Sequence, residues 1–278
     1  MKNIRSHLFV TGASGFIGKN FISKVALSGN KVFALSRSRK NNKSKNISWL
    51  KGEIDHDLKK YLKKSHTIVH FSAAGVNNKT ISLFEAIKEN VVKPQKFLID
   101  CIRCGCKKWI IIGSASEYGK AAETKKNLSK KSKELPETNY EKSKFILSKI
   151  ALNLSKKNKI KCRVMRIFNV YGKGESKKKL LSSLNKAIKL NKNFTITSSN
   201  QKKDFIEIGH VTDVLIDSLN FKKNSDYFPQ IWHVASGKSI TVKDFVTSKI
   251  EKKFLKKIKF RNSNKEIRNF VSSKNSIW

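Results

Sequence analysis

Three observations in the 278-residue sequence predict an α/β fold built on a doubly wound parallel sheet with a small C-terminal lobe. A glycine-rich turn, Thr11-Gly12-Ala13-Ser14-Gly15-Phe16-Ile17-Gly18, joins an apolar run to a helical pattern near the N-terminus. Short apolar runs and amphipathic stretches then alternate along the chain, as parallel strands linked by crossover helices do. Beyond residue 170 the alternation loosens, which fits a lobe laid over the open end of the sheet.

Taken in order, Leu8-Phe9-Val10 suits a short buried strand, and Phe21, Ile22, Val25 and Ala26 recur at helical spacing after the turn. Further strands are predicted at 31–35, 67–71, 109–113, 161–166 and 231–234. Helices are predicted at 19–28, 82–103, 140–156, 180–189 and 242–254. The Lys/Ser/Asn-rich stretch 120–133 reads as a loop over the site. Residues 1–170 form the sheet domain in this reading, 204–222 return to it, and 171–278 make most of the lobe.

The glycine turn has the context a dinucleotide pyrophosphate needs. Gly12 permits the sharp turn, Gly15 lets the backbone approach the phosphates, and Gly18 lets the helix pack closely on the strand. Free N–H groups from Ser14 to Gly18, with Phe16 and Ile17 among them, then face the phosphates at the positive end of the helix dipole. Ligands of such sheets bind at the carboxyl ends of the strands.

Composition narrows the alternatives. The formal charge is +40, yet only eight of the 60 basic residues are Arg, and Lys is scattered over the whole chain. Readers of nucleic acid concentrate Arg and aromatics on one element, so no specific nucleic-acid partner is expected. No run of about 18 apolar residues occurs. No membrane insertion is expected, and the start Met1-Lys2-Asn3-Ile4-Arg5-Ser6-His7 leads straight into the first strand, so a cytoplasmic location is expected. Cys101, Cys104 and Cys106 crowd together, but a helix end followed by Gly105 explains them as small buried thiols, with no metal implied. His70 falls in an apolar strand and reads as a packed, hydrogen-bonded residue, while His210 and His233 fall near the expected crevice.

Two motifs carry chemistry. Tyr140-Glu141-Lys142-Ser143-Lys144 opens a helical pattern, so Tyr140 and Lys144 share a face. An ammonium beside a phenol is expected to lower the Tyr140 pKa, giving an acid/base usable near neutral pH. Ser114-Ala115-Ser116-Glu117-Tyr118-Gly119 follows the strand at 109–113, so its hydroxyls point towards the ligand.

These motifs recur in a fixed order with others: Ile68-Val69-His70-Phe71-Ser72-Ala73-Ala74, Glu89-Asn90-Val91, Arg166-Ile167-Phe168-Asn169-Val170-Tyr171-Gly172, Lys203-Asp204-Phe205-Ile206, Val211-Thr212-Asp213-Val214 and His233-Val234-Ala235-Ser236-Gly237. In this the chain resembles the extended short-chain dehydrogenase/reductases, the Rossmann-type nucleotide-sugar epimerases, dehydratases and 4-ketoreductases, over about residues 5–250. The resemblance implies a catalytic triad of Ser114, Tyr140 and Lys144, with Tyr140 as acid/base and Lys144 holding the nicotinamide ribose. It implies cofactor contacts from Phe71, Ala73 and Asn90, with Glu53 and Ile54 beside the adenine. It implies substrate contacts from Ser114, Ser116, Asn169 and Lys203, and pairing of two copies through two long helices.

Departures from the family pattern sharpen the expectation. Ala115 and Ser116 stand where 4,6-dehydratases carry Asp and Glu, which argues against water elimination. Lys203 replaces a diphosphate-binding Arg and loses the two-pronged grip. His233 replaces an Asn, Lys173 replaces the usual Pro after Tyr-Gly, and the family's C-terminal helix is shortened. At the end of the second strand, Ser36 and Arg37 stand where NAD enzymes place an acid. That suits a 2′-phosphate, so NADP is favoured, with NAD the alternative. The expected activity is hydride transfer at a ring carbon of a nucleotide-activated sugar, as 4-keto reduction or epimerisation. A non-catalytic NADP-binding regulator of the same fold is the competing reading.

Overall fold

The computed structural model describes residues 7–38, 44–76, 81–124, 127–221, 229–262 and 268–278. Arg39, the lysine-rich residues 40–43, residues 125–126 of the expected loop and residue 222 lie outside them. In chain order the strands are β1 (His7–Thr11), β2 (Lys31–Ser36), β3 (Ile47–Lys51), β4 (Thr67–His70), β5 (Lys108–Ser114), β6 (Lys161–Ile167), β7 (Asn169–Tyr171), β8 (Phe194–Ile196), β9 (Lys202–Lys203), β10 (Phe205–Glu207), β11 (Gln230–Val234), β12 (Ile240–Thr241) and β13 (Ile258–Phe260). The helices are α1 (Phe16–Leu27), α2 (Lys59–Leu62), α3 (Leu83–Ile87), α4 (Lys93–Arg103), α5 (Ala121–Thr124), α6 (Asn139–Lys157), α7 (Leu180–Lys189), α8 (Ile208–Asp217) and α9 (Val242–Thr247).

Seven parallel strands form the central sheet in the order β3-β2-β1-β4-β5-β6-β11. The connection reverses direction between β1 and β4, the switch point where such sheets open a crevice. The central strands are apolar on both faces because helices cover both. Alternate residues feed two cores. Leu8, Val10, Val69, Ile110 and Ile112 pack towards α1 and α8, while Phe9, Ile68, Trp109 and Ile111 pack towards α4 and α6. Cys101, Cys106 and Cys162 sit in the second core as small apolar fillers.

The expected elements are present, with differences that have local causes. The predicted helix 82–103 runs without leaving helical backbone as α3, a π-helical turn at Lys88–Val92, and α4. Pro94 has no N–H to donate, and it falls just after the π-helical turn, where Lys93 N–H already bonds five residues back to the Lys88 carbonyl. The predicted helix 242–254 stops at Thr247, and a separate 3₁₀ turn covers Lys252–Lys257. Among the described residues of the stretch 120–133, none lines the crevice. Its Ala121, Ala122 and Leu128 are buried against Tyr118 and Phe168. Strand β11 joins the sheet beyond the 204–222 return, and the last residues run back across it: Leu128 N–H donates to the Val271 carbonyl at 2.8 Å and Trp278 N–H to the His233 carbonyl at 3.0 Å.

The lobe has its own core of Leu184, Ile196, Val242, Phe245, Val246 and Ile258, framed by two-stranded pairs β7–β10, β9–β12 and β8–β13. Among the described residues no helix is long and apolar enough to cross a membrane.

Candidate functional site

A crevice of about 760 Å³ opens at the carboxyl ends of the sheet strands and is roofed by the lobe. The glycine turn floors one end. Gly12 adopts φ +63°, and a Cβ there would stand 2.7 Å from the Ser72 nitrogen. A Cβ on Gly18 would run into the Gly12 carbonyl oxygen, so α1 reaches this close to the turn only with glycine. Gly12, Ser14, Gly15, Phe16, Ile17 and Gly18 all line the crevice.

Along the same wall, Ser36 closes β2 and donates from its hydroxyl to Ser14 Oγ at 3.2 Å. Arg37, Glu53, Ile54, Phe71 and Ala73 also face the crevice. Glu53 is tied down by Lys93, whose Nζ lies 2.8 Å from Glu53 Oε2, 2.9 Å from Glu89 Oε1 and 3.4 Å from Asp55 Oδ2. Hydrogen bonds donated to Glu53 and Glu89 hold the Lys93 ammonium above its ordinary pKa, with the Asp55 charge adding to them, and the Lys93 bond holds Glu53 below the usual carboxylate value. Lys93 was not anticipated. The i,i+4 spacing of Glu89 and Lys93 was its one signal in the sequence.

At the middle of the crevice Ser114, Ser116, Tyr140 and Lys144 come together. Ser114 ends β5, and its Oγ lies 2.8 Å from Ser116 Oγ and accepts the Ser116 N–H at 3.2 Å. Helix α6 starts beside Tyr140 because Thr138 and Glu141 cap it reciprocally: Thr138 Oγ1 accepts the Glu141 N–H at 3.2 Å and Glu141 Oε2 accepts the Thr138 N–H at 3.1 Å. One turn on, Lys144 is 3 % exposed and donates from Nζ to the Ile112 carbonyl at 2.6 Å.

The expected lowering of the Tyr140 pKa is not what the structure gives. Burial and the Glu117 carboxylate push it up to about 12, against a hydrogen bond from Ser114 that pulls it down. Lys144 spends its ammonium on a backbone carbonyl, and burial lowers its own pKa despite Glu117.

Asn90 is the one predicted contact outside the crevice wall. It is fully buried on the π-helical turn. Its Oδ1 accepts the Ala74 N–H at 2.7 Å, and its Nδ2 donates to the Ala74 carbonyl and to Ser143 Oγ, both at 3.0 Å. It therefore braces the wall from behind, next to Lys144.

The opposite wall comes from the lobe. Asn169 and Lys203 line it as expected, joined by Tyr171, Lys179, Leu180, Phe205 and Phe245, which sequence reasoning had not singled out as site residues. Phe205 stacks on Phe245 with ring centroids 3.7 Å apart. Asp204, fully buried beside Lys203, accepts the Ser236 and Gly237 N–H groups at 2.7 and 2.8 Å and so anchors this wall to the end of β11.

The histidines play other parts. His70 is buried against Thr11 Oγ1 at 2.8 Å, as expected, and burial lowers its pKa to about 3. His233 does not reach the crevice. It is buried between Tyr118 OH at 2.6 Å and Ser272 Oγ at 2.7 Å, because β11 turns its side chain into the cluster that the C-terminal residues cover. His210 is exposed on α8, away from the crevice.

Comparison with known proteins agrees with this geometry. Residues 8–228 match the model of the NAD dependent epimerase/dehydratase family. The chain is 26 % identical over 262 residues to CDP-abequose synthase of Salmonella typhimurium, covering 88 % of this chain and 80 % of that protein. It is 22 % identical over 246 residues to UDP-glucose 4-epimerase of Vibrio cholerae, covering 86 % and 73 %. Among solved structures, UDP-glucuronic acid 4-epimerase from Bacillus cereus in complex with UDP-glucuronic acid and NAD superimposes with a TM-score of 0.82 at 19 % identity, covering 97 % of this chain and 90 % of that one. UDP-N-acetylglucosamine 4-epimerase from Methanobrevibacter ruminantium M1 gives 0.83 at 22 %, with the same coverage. The chain is an enzyme of the NAD dependent epimerase/dehydratase family.

Proposed function

We propose that this enzyme uses NADPH to reduce a keto group, at C4, on the ring of a nucleotide-activated sugar. The observation that carries the proposal is the meeting of Ser114, Tyr140 and Lys144 at one point of a crevice whose floor only glycine can form. The residues fit the cofactor. The Gly12–Gly18 turn leaves backbone room for a pyrophosphate, and Glu53 and Ile54 border the place for adenine. Arg37 at the end of β2 supplies a cation for a 2′-phosphate, which favours NADP over NAD. When bound, the nicotinamide supplies the hydride.

This chain's residues do the rest. Ser114 hydrogen-bonds the substrate oxygen, with Ser116 supporting its hydroxyl. Tyr140, held as a phenol, gives its proton to the oxygen that becomes the alcohol. Lys144 orients the nicotinamide ribose. Lys203 and Asn169 receive the diphosphate, and the Phe205–Phe245 stack with Tyr171 offers an apolar bed for the rest of the nucleotide. The resemblance to CDP-abequose synthase, over most of both chains, supports a role in making a nucleotide-linked sugar. Epimerisation is the second outcome, favoured by the resemblance to UDP-glucose 4-epimerase.

We further propose a homodimer through α3, its π-helical turn and α6. Leu83, Phe84 and Val92 are 53 %, 78 % and 56 % exposed there, an apolar surface that a second copy would cover.

The test is a panel of UDP-, CDP-, GDP- and dTDP-linked 4-keto and 4-hydroxy sugars with either cofactor. Net NADPH consumption that Tyr140→Phe lowers by about 10²–10⁴-fold, with NADPH binding retained, is expected. Turnover without net consumption points to epimerisation. Unchanged cellular function of Tyr140→Phe with NADP still bound would favour the regulator.

A further inference from the structure

Behind the reaction centre lies a buried ion pair that the proposed chemistry does not yet use. Glu117 and Arg166 are both fully buried, and neither lines the crevice. Glu117 Oε1 accepts the Ser114 N–H at 2.8 Å, and its Oε2 accepts Arg166 Nε–H at 2.9 Å. The Arg166 guanidinium lies 4.4 Å from the Tyr118 ring centre and donates from Nη2 to Glu134 Oε1 at 3.0 Å, an oxygen that Lys149 also reaches at 3.0 Å. The space for this carboxylate exists because residue 113 is glycine. A Cβ there would stand 2.7 Å from Glu117 Oε1 and 3.2 Å from Arg166 Cγ. Burying two charges is costly and often adds no stability, so three residues committed to it suggest a purpose beyond stability.

We propose that Glu117 is a positioning residue for the reaction, its buried carboxylate clamping the Ser114 turn to Arg166 and setting the field at Tyr140. The inference rests on the roles proposed above for Ser114 and Tyr140. Ser114 is held from both ends, by Glu117 at its N–H and by Ser116 at its hydroxyl. Ser114 from β5 and Glu117 from the turn after β5 act on Tyr140, and Lys144 follows it by four residues on α6. Arg166 on β6, Tyr118, Glu134 and Lys149 surround Glu117 in turn. Of these, Glu117 acts on both Tyr140, favouring the phenol, and Lys144, favouring the ammonium. A phenol is the form that donates a proton, so the arrangement suits carbonyl reduction.

Glu117→Gln keeps the shape and removes the charge, and Glu117→Gln/Arg166→Met removes both charges so that no unpaired guanidinium is left buried. Tyr140 is titrated in each background as the difference in tyrosinate absorbance from the matching Tyr140→Phe protein, a readout that needs no turnover. The alkaline limb of the pH profile of carbonyl reduction is recorded beside it. The expected result is a Tyr140 midpoint lower by about one pH unit in the folded variants, with the alkaline limb shifted alike. An unmoved midpoint in a folded variant overturns the inference. Wild-type turnover that survives Tyr140→Phe overturns the functional proposal instead, and leaves the tyrosinate comparison readable.

Discussion

The two walls of the crevice are built differently. The sheet wall places Gly12, Ser36, Glu53, Phe71 and Ser114 at or just beyond the ends of five neighbouring parallel strands. Apart from the edge strand β3, their register is fixed by ladders on both sides and by an apolar core on each face. The lobe wall places Tyr171, Lys203, Phe205 and Phe245 on pairs two or three residues long and on a six-residue helix, over a separate core. A strand covered on both faces cannot slip by one residue without exchanging its side chains between two differently packed cores, whereas a short pair moves with the side chains beneath it. On the proposed function, cofactor recognition is then a property of the backbone frame, and nucleotide-sugar recognition a property of side-chain packing in the lobe. Mutations should separate the two.

Phe245→Ala should have the largest effect. Phe245 is buried, stacks on Phe205 and meets Tyr171 edge-on with ring centroids 5.0 Å apart. Its removal is expected to destabilise by about 3–5 kcal/mol. Calorimetry should show nucleotide-sugar affinity falling at least about tenfold while the NADPH Kd stays within about twofold. Equal losses of both ligands would break the separation of the walls.

Arg37→Ala probes the other wall. The preference for NADPH over NADH, measured as the ratio of dissociation constants, is expected to fall about tenfold, near 1.4 kcal/mol, with nucleotide-sugar affinity unchanged. A preference that persists would remove Arg37 from 2′-phosphate recognition.

Acid sharpens the comparison further, because both deeply buried histidines belong to the sheet side. Burial lowers His70 and His233 to about 3, below the ordinary 6.5. The unfolded chain therefore binds protons that the folded chain refuses. Stability is full above pH 6.5 and declines as the pH falls towards 3, by up to about 1.4 kcal/mol per pH unit for each histidine. His233→Gln should remove about half of that slope in urea unfolding between pH 5 and 6.5. An unchanged slope would mean that His233 takes up no proton on unfolding in that range.

Legibility in the sequence follows the same division. The turn at Gly12–Gly18 and the strand ends were readable because backbone geometry demands particular residue types there, and Ser114, Tyr140 and Lys144 line the same crevice. Strand β3 was not readable, because its Ile-Ser-Trp-Leu-Lys is a half-exposed edge with one β-branched residue. The π-helical turn at Asn90 was hidden by a pattern that continues through it, with Pro94 its one trace. The fate of 120–133 and of His233 was set by the C-terminal residues folding back over them, a long-range contact that no local pattern encodes. Lys93 and the Phe205–Phe245 bed depend on side chains brought together from distant segments, and spacing alone cannot announce them.

On the proposed function, a hydride reaches a sugar ring carbon in this crevice. Supplying NADPH deuterated at the transferring position of the nicotinamide, with a nucleotide-linked 4-keto sugar, tests it most directly by mass and proton spectra of the product. Deuterium bound to C4 in stoichiometric amount is the expected result. A product formed without deuterium at any ring carbon would contradict it.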